Sequence, residues 1–435
     1  MKLTKIYKRD GSVVPFDQKK IIQALYKAIA EVAQPNMDFA EQISDKVLDI
    51  LENHFPKTIQ TVEEIQDIIE RVLVREGHKR VVKAYIIYRQ KRKELREKKV
   101  RGEVENIPYK TIWQSLVWSL NHQVETIDKL NKYVRDKTLP KLVKAVEDAY
   151  EQELTDLCYG IKDRIKEIKL FIICGPSSSG KTTTTERLTK KLEKQGVRFV
   201  KLNIDNYFYD TKDNIEDEYG DHDFEGPYAL DLPLINQHFK ELLKGKTIEV
   251  PRYNFETGTR EKKTDKLSKR PEQIILIDSH FGIYPKLTEA VPNNQKYIIY
   301  LETLCQLRYK NGQFVRWTDI RMLRRMIRDA QFRAYDPIKT VGHWHYVRQG
   351  ELKNIIPYIA SADHVFNTFL AYELPILKSH IFKFFPKIVK TYQKDSGRQD
   401  AYVRAQRVYN LLKQIQTWSD DRIVPKNSIL REFIG

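Results

Sequence analysis

Apolar residues follow two different spacings along this chain, and the change from one to the other divides it. Over residues 1–95 the spacing is mainly helical. Ile6 to Phe16 reads as a short hairpin turning at Asp10-Gly11. Asp17 can then cap a helix whose apolar face holds Ile21, Ile22, Leu25 and Ile29. Two more helices are predicted over about 39–51 and 62–76, the second stopped by Gly77, and a basic one follows from about His78. Residues 96–165 continue as helices, with stripes at Trp113, Leu116, Val117 and Leu120 and at Leu139, Leu142, Val143 and Val146. Such stripes mark core or a subunit contact, so this stretch is read as a helical linker without chemistry.

From 166 to 370 the pattern changes. Short strand-like runs alternate with helical segments: Leu170–Cys174, Phe199–Asp205, Ile274–Asp278, Lys296–Leu301 and Asp363–Phe366, the first and third continuously apolar up to their last residues. Continuous runs suit strands covered on both faces, which predicts an α/β domain built on a parallel sheet flanked by helices. Residues 371–435 return to helical spacing and form a helical extension. The expected whole is this α/β core, a small and mostly helical N-terminal domain, and the helical linker and tail.

The densest chemistry lies between the first of these strands and its helix. Gly175-Pro176-Ser177-Ser178-Ser179-Gly180-Lys181-Thr182 has two glycines with four residues between them, then Lys and Thr. That is the spacing of a loop whose backbone N–H groups wrap a polyphosphate at a helix N-terminus. Gly175, Ser177, Ser178, Ser179, Gly180, Lys181, Thr182 and Thr183 are the predicted ATP-binding residues. Lys181 would reach the outer phosphates, and the Thr182 hydroxyl would hold Mg²⁺. Asp205 closes the next strand at its carboxyl end, where ligands of parallel sheets bind. An acid there can take the proton of a substrate hydroxyl as it attacks the γ-phosphate.

Charge adds one question. The net charge is +17, and residues 75–101 carry twelve Lys or Arg against three Glu. No dedicated recognition motif accompanies that charge, so nucleic acid is not the expected partner. No apolar run reaches membrane-span length and the first residues lack a signal-peptide core, so the cytosol is the expected compartment. Cys158, Cys174 and Cys305 form no metal-type pair.

Several further motifs resemble the uridine kinase family, in particular a longer bacterial branch of it. They are Asp205-Asn206-Tyr207-Phe208, the substrate loop Asp223–Asp231, the run Gly245–Arg260, the arginine-rich Arg321–Asp329, Trp344–Glu351 and the closing Ser428–Gly435. The resemblance implies an ATP- and Mg²⁺-dependent kinase acting on a nucleoside 5′-hydroxyl. Asp205 would be the base, and Lys181, Arg324, Arg325 and Arg328 would meet the transferring phosphate, the arginines from a lid helix. Tyr207, Glu225, Tyr253, Phe255 and Arg260 would bind the substrate, and Asp278 would join Thr182 in ordering the metal. One departure is Gly258, where the family carries a histidine against the pyrimidine. A small residue there would admit a purine, a modified base or another hydroxyl compound.

Residues 1–95 resemble a second family, the ATP-cone, through Tyr7-Lys8-Arg9-Asp10-Gly11 and Val72–Gly77 followed by Ala84–Arg89. By that resemblance Lys8, Arg9 and Lys20 would approach the phosphates of a second, regulatory adenine nucleotide. The expected organisation is an ATP-cone over 1–95, a linker over 96–165, a kinase domain over 166–370 and an extension over 371–435, in a homo-oligomer. Two other readings stay open: a sugar-phosphate kinase like phosphoribulokinase, and a nucleotide-sensing regulator that binds nucleic acid without catalysis.

Overall fold

A computed structural model of the chain describes residues 4–7, 13–30, 36–54, 60–78, 80–86, 107–162, 164–211 and 226–435. Contacts divide the chain into two units, residues 1–104 and 105–435.

In the first unit, strands β1 (Lys5–Tyr7), β2 (Val13–Pro15) and β3 (Gln60–Thr61) form a small sheet in the order β2-β1-β3. Helices α1 (Gln18–Ala30), α2 (Met37–His54), α3 (Val62–Arg75) and α4 (80–86) pack beside it. Their apolar stripes meet in one core holding Leu25, Ile29, Val47, Leu51, Ile69 and Leu73, each no more than 2% exposed. Thr61 starts α3 with a capping box. Its hydroxyl accepts from the Glu64 N–H, and the Glu64 carboxylate accepts from the Thr61 N–H at 2.7 Å. The Asp10-Gly11 turn, and residues 79 and 87–101 of the basic run, lie outside the described residues.

The second unit opens with α5 (Tyr109–Asn121), α6 (Ile127–Arg135) and α7 (Leu139–Lys162). Next come β4 (Leu170–Cys174), α8 (Lys181–Lys194), β5 (Arg198–Lys201) and α9 (Leu232–Leu243). Four short strands, β6 (Ile248–Val250), β7 (Tyr253–Asn254), β8 (Thr259–Arg260) and β9 (Asp265–Leu267), then form two small hairpin-like pairs, β6 with β9 and β7 with β8. After them run β10 (Gln273–Ser279), β11 (Lys296–Glu302), α10 (Trp317–Phe332), α11 (Pro337–Asn354) and β12 (His364–Asn367). The helices α12 (Glu373–Ile381), α13 (Phe385–Gln393), α14 (Gln399–Gln414) and α15 (Arg431–Ile434) complete it.

The main sheet is parallel throughout, in the order β12-β11-β4-β10-β5. Central β4 is fully buried along its length, which is why its sequence is apolar without alternation. Its residues still divide by face. Phe171 and Ile173 join the core beneath α7, α8 and α10, while Leu170, Ile172 and Cys174 join the one beneath α9.

The structure shows what two of the predicted helical stretches pack against. The helices of the predicted linker supply Leu139, Leu142, Leu154 and Ile161 to the same core as the sheet, so residues 109–162 are part of this unit's body. The last helices do likewise through Ala405, Val408, Leu411, Leu430 and Phe433. Helical periodicity shows that a face is buried but not what it is buried against.

Candidate active site

The loop after β4 is shaped by its glycines. A Cβ on Gly175 would stand 2.4 Å from the Leu301 carbonyl oxygen on neighbouring β11, so only glycine fits beside that strand. Gly180 sits at φ +83° as the N-cap of α8 and has no side chain to satisfy the helix's first N–H groups. The cradle between them is buried: Ser177, Ser178, Ser179 and Lys181 are each 9% exposed or less. The Ser178 and Ser179 hydroxyls are buried with no hydrogen-bond partner among the described residues. Buried orphan donors ahead of an uncapped helix are what a polyphosphate would satisfy.

Lys181 Nζ donates to the Pro176 carbonyl at 3.1 Å and lies 3.2 Å from His280 Nδ1. Burial pulls its pKa down, Asp278, Glu432 and Asp205 oppose this, and Arg328 adds to it. The two acids stand at the carboxyl ends of adjacent strands. Asp278 is near the end of β10, where the Thr185 hydroxyl donates to it at 3.4 Å. Asp205 lies in the short 3₁₀ turn after β5, its N–H held by Asn203 Oδ1 at 3.2 Å. Asp205 is exposed along the cleft, yet the surrounding protein removes enough water to push its carboxyl upward. Lys181, Arg333 and Lys201 pull it partly back. Burial raises Asp278 as well, against Lys181 and Lys201. Thr182, at the head of α8, is exposed.

The arginines of α10, expected on a lid helix, divide by burial into two kinds. α10 is a core helix whose Ile320, Met322, Leu323 and Met326 are fully buried. Arg324 is fully buried too. It pairs through two nitrogens with Glu373 at 2.7 and 3.0 Å, donates to the Thr368 carbonyl at 2.7 Å and reaches the Ser178 carbonyl at 3.5 Å. Each of its three nitrogens has a partner, which sets Arg324 under the phosphate loop as a prop. Arg321 does the same, donating to the Ser177 carbonyl at 3.1 Å and to Glu351 at 2.6 and 2.8 Å. Arg325 and Arg328 are partly open. Arg325 reaches the Ser177 hydroxyl at 3.4 Å, and both arginines pair with the buried Asp329.

On the substrate side, Phe208, Tyr253 and Phe255 form an aromatic group with ring centroids 5.0 to 6.1 Å apart. Phe255 is 67% exposed, a wall with one open face. Tyr207 is not part of it. It is fully buried, its hydroxyl 2.7 Å from His238 Nδ1, because alternate residues of the turn face opposite ways. Arg260 donates to the Tyr207 and Phe208 carbonyls at 2.7 Å each and to Asp231 at 3.1 Å, so it braces the aromatic turn. Gly258 also differs from expectation. At φ +66° it makes the β7–β8 turn, and a Cβ there would meet Thr211 Oγ1 at 2.1 Å. Thr211 fills the room that a missing side chain was expected to leave.

Glu225, Lys8 and Arg9 lie outside the described residues, and Lys20 is an exposed residue of α1. Four residues at the site were given no role by the sequence reading: His280, Asp329, Arg333 and Glu432, the second and last of them inside motifs it quoted. Asp329 alone had a local signal, four residues after Arg325 and four before Arg333. His280 and Glu432 come from distant parts of the chain. Among the described residues, no helix is long and apolar enough to cross a membrane.

The phosphoribulokinase / uridine kinase family model matches residues 170–373, and the ATP cone domain model matches residues 4–94. A uridine kinase of Macrococcus caseolyticus is 30% identical over 163 residues, covering 37% of this chain and 69% of that protein. A vitamin B12-dependent ribonucleoside-diphosphate reductase of Thermoplasma acidophilum is 43% identical over 102 residues, 22% of this chain and 13% of the reductase's length. A solved structure of a possible uridine kinase from Bacillus stearothermophilus aligns over 48% of this chain and all of its own, with 18% identity and a TM-score of 0.31. The chain thus belongs to the phosphoribulokinase / uridine kinase family, as an ATP-dependent kinase that also carries an ATP-cone domain.

Proposed function

We propose that this protein transfers the γ-phosphoryl group of ATP to the 5′-hydroxyl of a nucleoside, under the influence of a second adenine nucleotide bound by its ATP-cone. The observation that carries the reading is the meeting of Lys181, Asp205 and Asp278 at one end of the sheet, beside the aromatic wall of Phe208, Tyr253 and Phe255. A flat, uncharged base suits such a wall, because every base has a π-face to stack. The acceptor's proton would pass to Asp205, whose raised pKa makes it a better base than an ordinary carboxylate. Lys181, Arg325 and Arg328 would meet the negative charge of the transferring phosphoryl group. Arg324 and Arg321 would hold the loop in the shape this needs.

The oxygen donors of Thr182 and Asp278 suit Mg²⁺, which binds through one or two protein oxygens plus the nucleotide's phosphates. Those two residues would hold the ion, and its chemistry would be neutralisation of β- and γ-phosphate charge. A phosphorylated acceptor is less well served. Arg252 is engaged with Asp265, its Nε 2.6 Å away, and Arg260 is engaged with carbonyls. Neither guanidinium stands ready to clamp a substrate phosphate, which favours a nucleoside over a sugar phosphate.

Incubation with Mg²⁺-ATP and a panel of ribo- and deoxynucleosides, followed by mass detection of monophosphates, tests the reading. One dominant nucleoside monophosphate is the expected result. Product only from sugar phosphates would overturn it.

A further inference from the structure

The motif Ser428–Gly435 has no part in the chemistry above, yet it lies on the phosphate loop. Ser428, Ile429, Leu430, Phe433 and Ile434 are each at most 3% exposed. Ile429 packs against Gly180, its Cδ1 3.4 Å from where a Cβ would stand. The Phe433 ring lies 5.1 Å from the Arg324 guanidinium, and the Ile434 carbonyl accepts from Gln331 at 3.1 Å. Seated in this way, the segment aims Glu432 at the start of α8. Glu432 Oε2 accepts from both the Thr183 N–H and the Thr183 hydroxyl, each at 3.1 Å.

This contact falls on the helix turn that Gly180 leaves uncapped. The first N–H groups of α8 are the donors a nucleotide polyphosphate must use, and a carboxylate from 249 residues away already holds those of Thr183. Its charge is felt further in: it opposes the burial that lowers the Lys181 pKa and adds to the burial that raises that of Asp278. Two anions cannot share one pair of donors without strong repulsion.

We propose that Glu432 is an internal anion ligand of the nucleotide cradle, standing in for a nucleotide phosphate. ATP then binds by displacing Glu432, and loosens the Ser428–Gly435 segment as it does so. The inference rests on the nucleotide-site reading above and adds to it a competitor built into the chain. It concerns binding, so turnover is not needed to test it.

The test is direct calorimetric binding of ADP and of inorganic tripolyphosphate to the full chain and to Glu432→Gln. The amide keeps the side chain's size and removes its charge. Both probes are expected to bind the variant about tenfold more tightly, the scale of one charge-assisted hydrogen bond no longer displaced. Equal or weaker binding by the variant would overturn the proposal. A second measurement needs no variant: hydrogen exchange of the wild-type chain with and without saturating ADP. Faster exchange over residues 428–435 is expected, and unchanged or slower exchange there would count against displacement. If neither protein binds ADP, the nucleotide-site reading fails and the proposal with it. If both bind ADP equally, only the proposal fails.

Discussion

Replacing Arg324 with methionine separates a structural arginine from a catalytic one. In the native protein the Arg324 fork satisfies Glu373 at 2.7 and 3.0 Å, with both side chains fully buried. Methionine fills much of the volume but leaves the Glu373 carboxylate in the core, with the Leu370 N–H at 3.0 Å as its one remaining hydrogen-bond partner among the described residues. Removing one member of such a pair costs about 3–5 kcal/mol, because the other stays buried and unpaired. Against a typical total stability of about 5–15 kcal/mol that is a large share. Urea denaturation followed by circular dichroism should show the loss in the transition of residues 105–435. The double variant Arg324→Met, Glu373→Leu removes both charges and should regain most of the loss. ADP binding should weaken in the single variant, since the Ser178 carbonyl loses its prop. A single variant as stable as wild type, binding ADP normally and defective only in turnover, would refute this reasoning. Arg324 would then have to reach the phosphates after all.

Other perturbations act elsewhere on the site. Asp205→Asn should lower turnover at least a hundredfold, the lower range for general-base catalysis, with ADP binding little changed. In the wild type the raised pKa of Asp205 places the acid limb of the kcat/KM profile above the ordinary carboxylate range. The base works deprotonated, so activity falls as pH drops through that value, and a limb near pH 4 would remove Asp205 from the role. Gly258→Ala forces a side chain into φ +66° against Thr211, a strain of about 1–2 kcal/mol. The acceptor's KM should rise while ADP binding stays constant, as initial-rate kinetics and calorimetry would show. A chain beginning at residue 105 should keep phosphoryl transfer and lose any difference between ATP and dATP response curves; identical curves for long and short chains would remove the sensing role.

The sequence by itself determined a good deal of this protein. The five predicted runs became the five strands of the parallel sheet, and the inner strands β4, β10 and β11 are the ones whose near-continuous apolar sequence reflects cover on both faces. The phosphate loop was equally legible. Its glycines answer to local demands, a crowding carbonyl at Gly175 and a positive φ at Gly180, and a short motif can encode both. Asp205 and Asp278 could be placed at strand ends because parallel strands put their carboxyl ends on one edge.

The tertiary structure decided which similar residues do what. Arg324 and Arg328 lie one turn apart in one basic run, yet Arg324 meets Glu373 in the core while Arg328 meets Asp329 near the cleft. Nothing local distinguishes them, since their partners come from packing. Tyr207 and Phe208 are neighbours in a single motif, and the turn sends one to His238 and the other to the aromatic wall. The helices around 109–162 showed a buried face whose cover only the assembled core could name. Glu432 lies in a motif the sequence offered, but nothing there named its partner Thr183, 249 positions away. A charge so distant gains meaning only when the fold closes a long loop of chain and sets it on an uncapped helix.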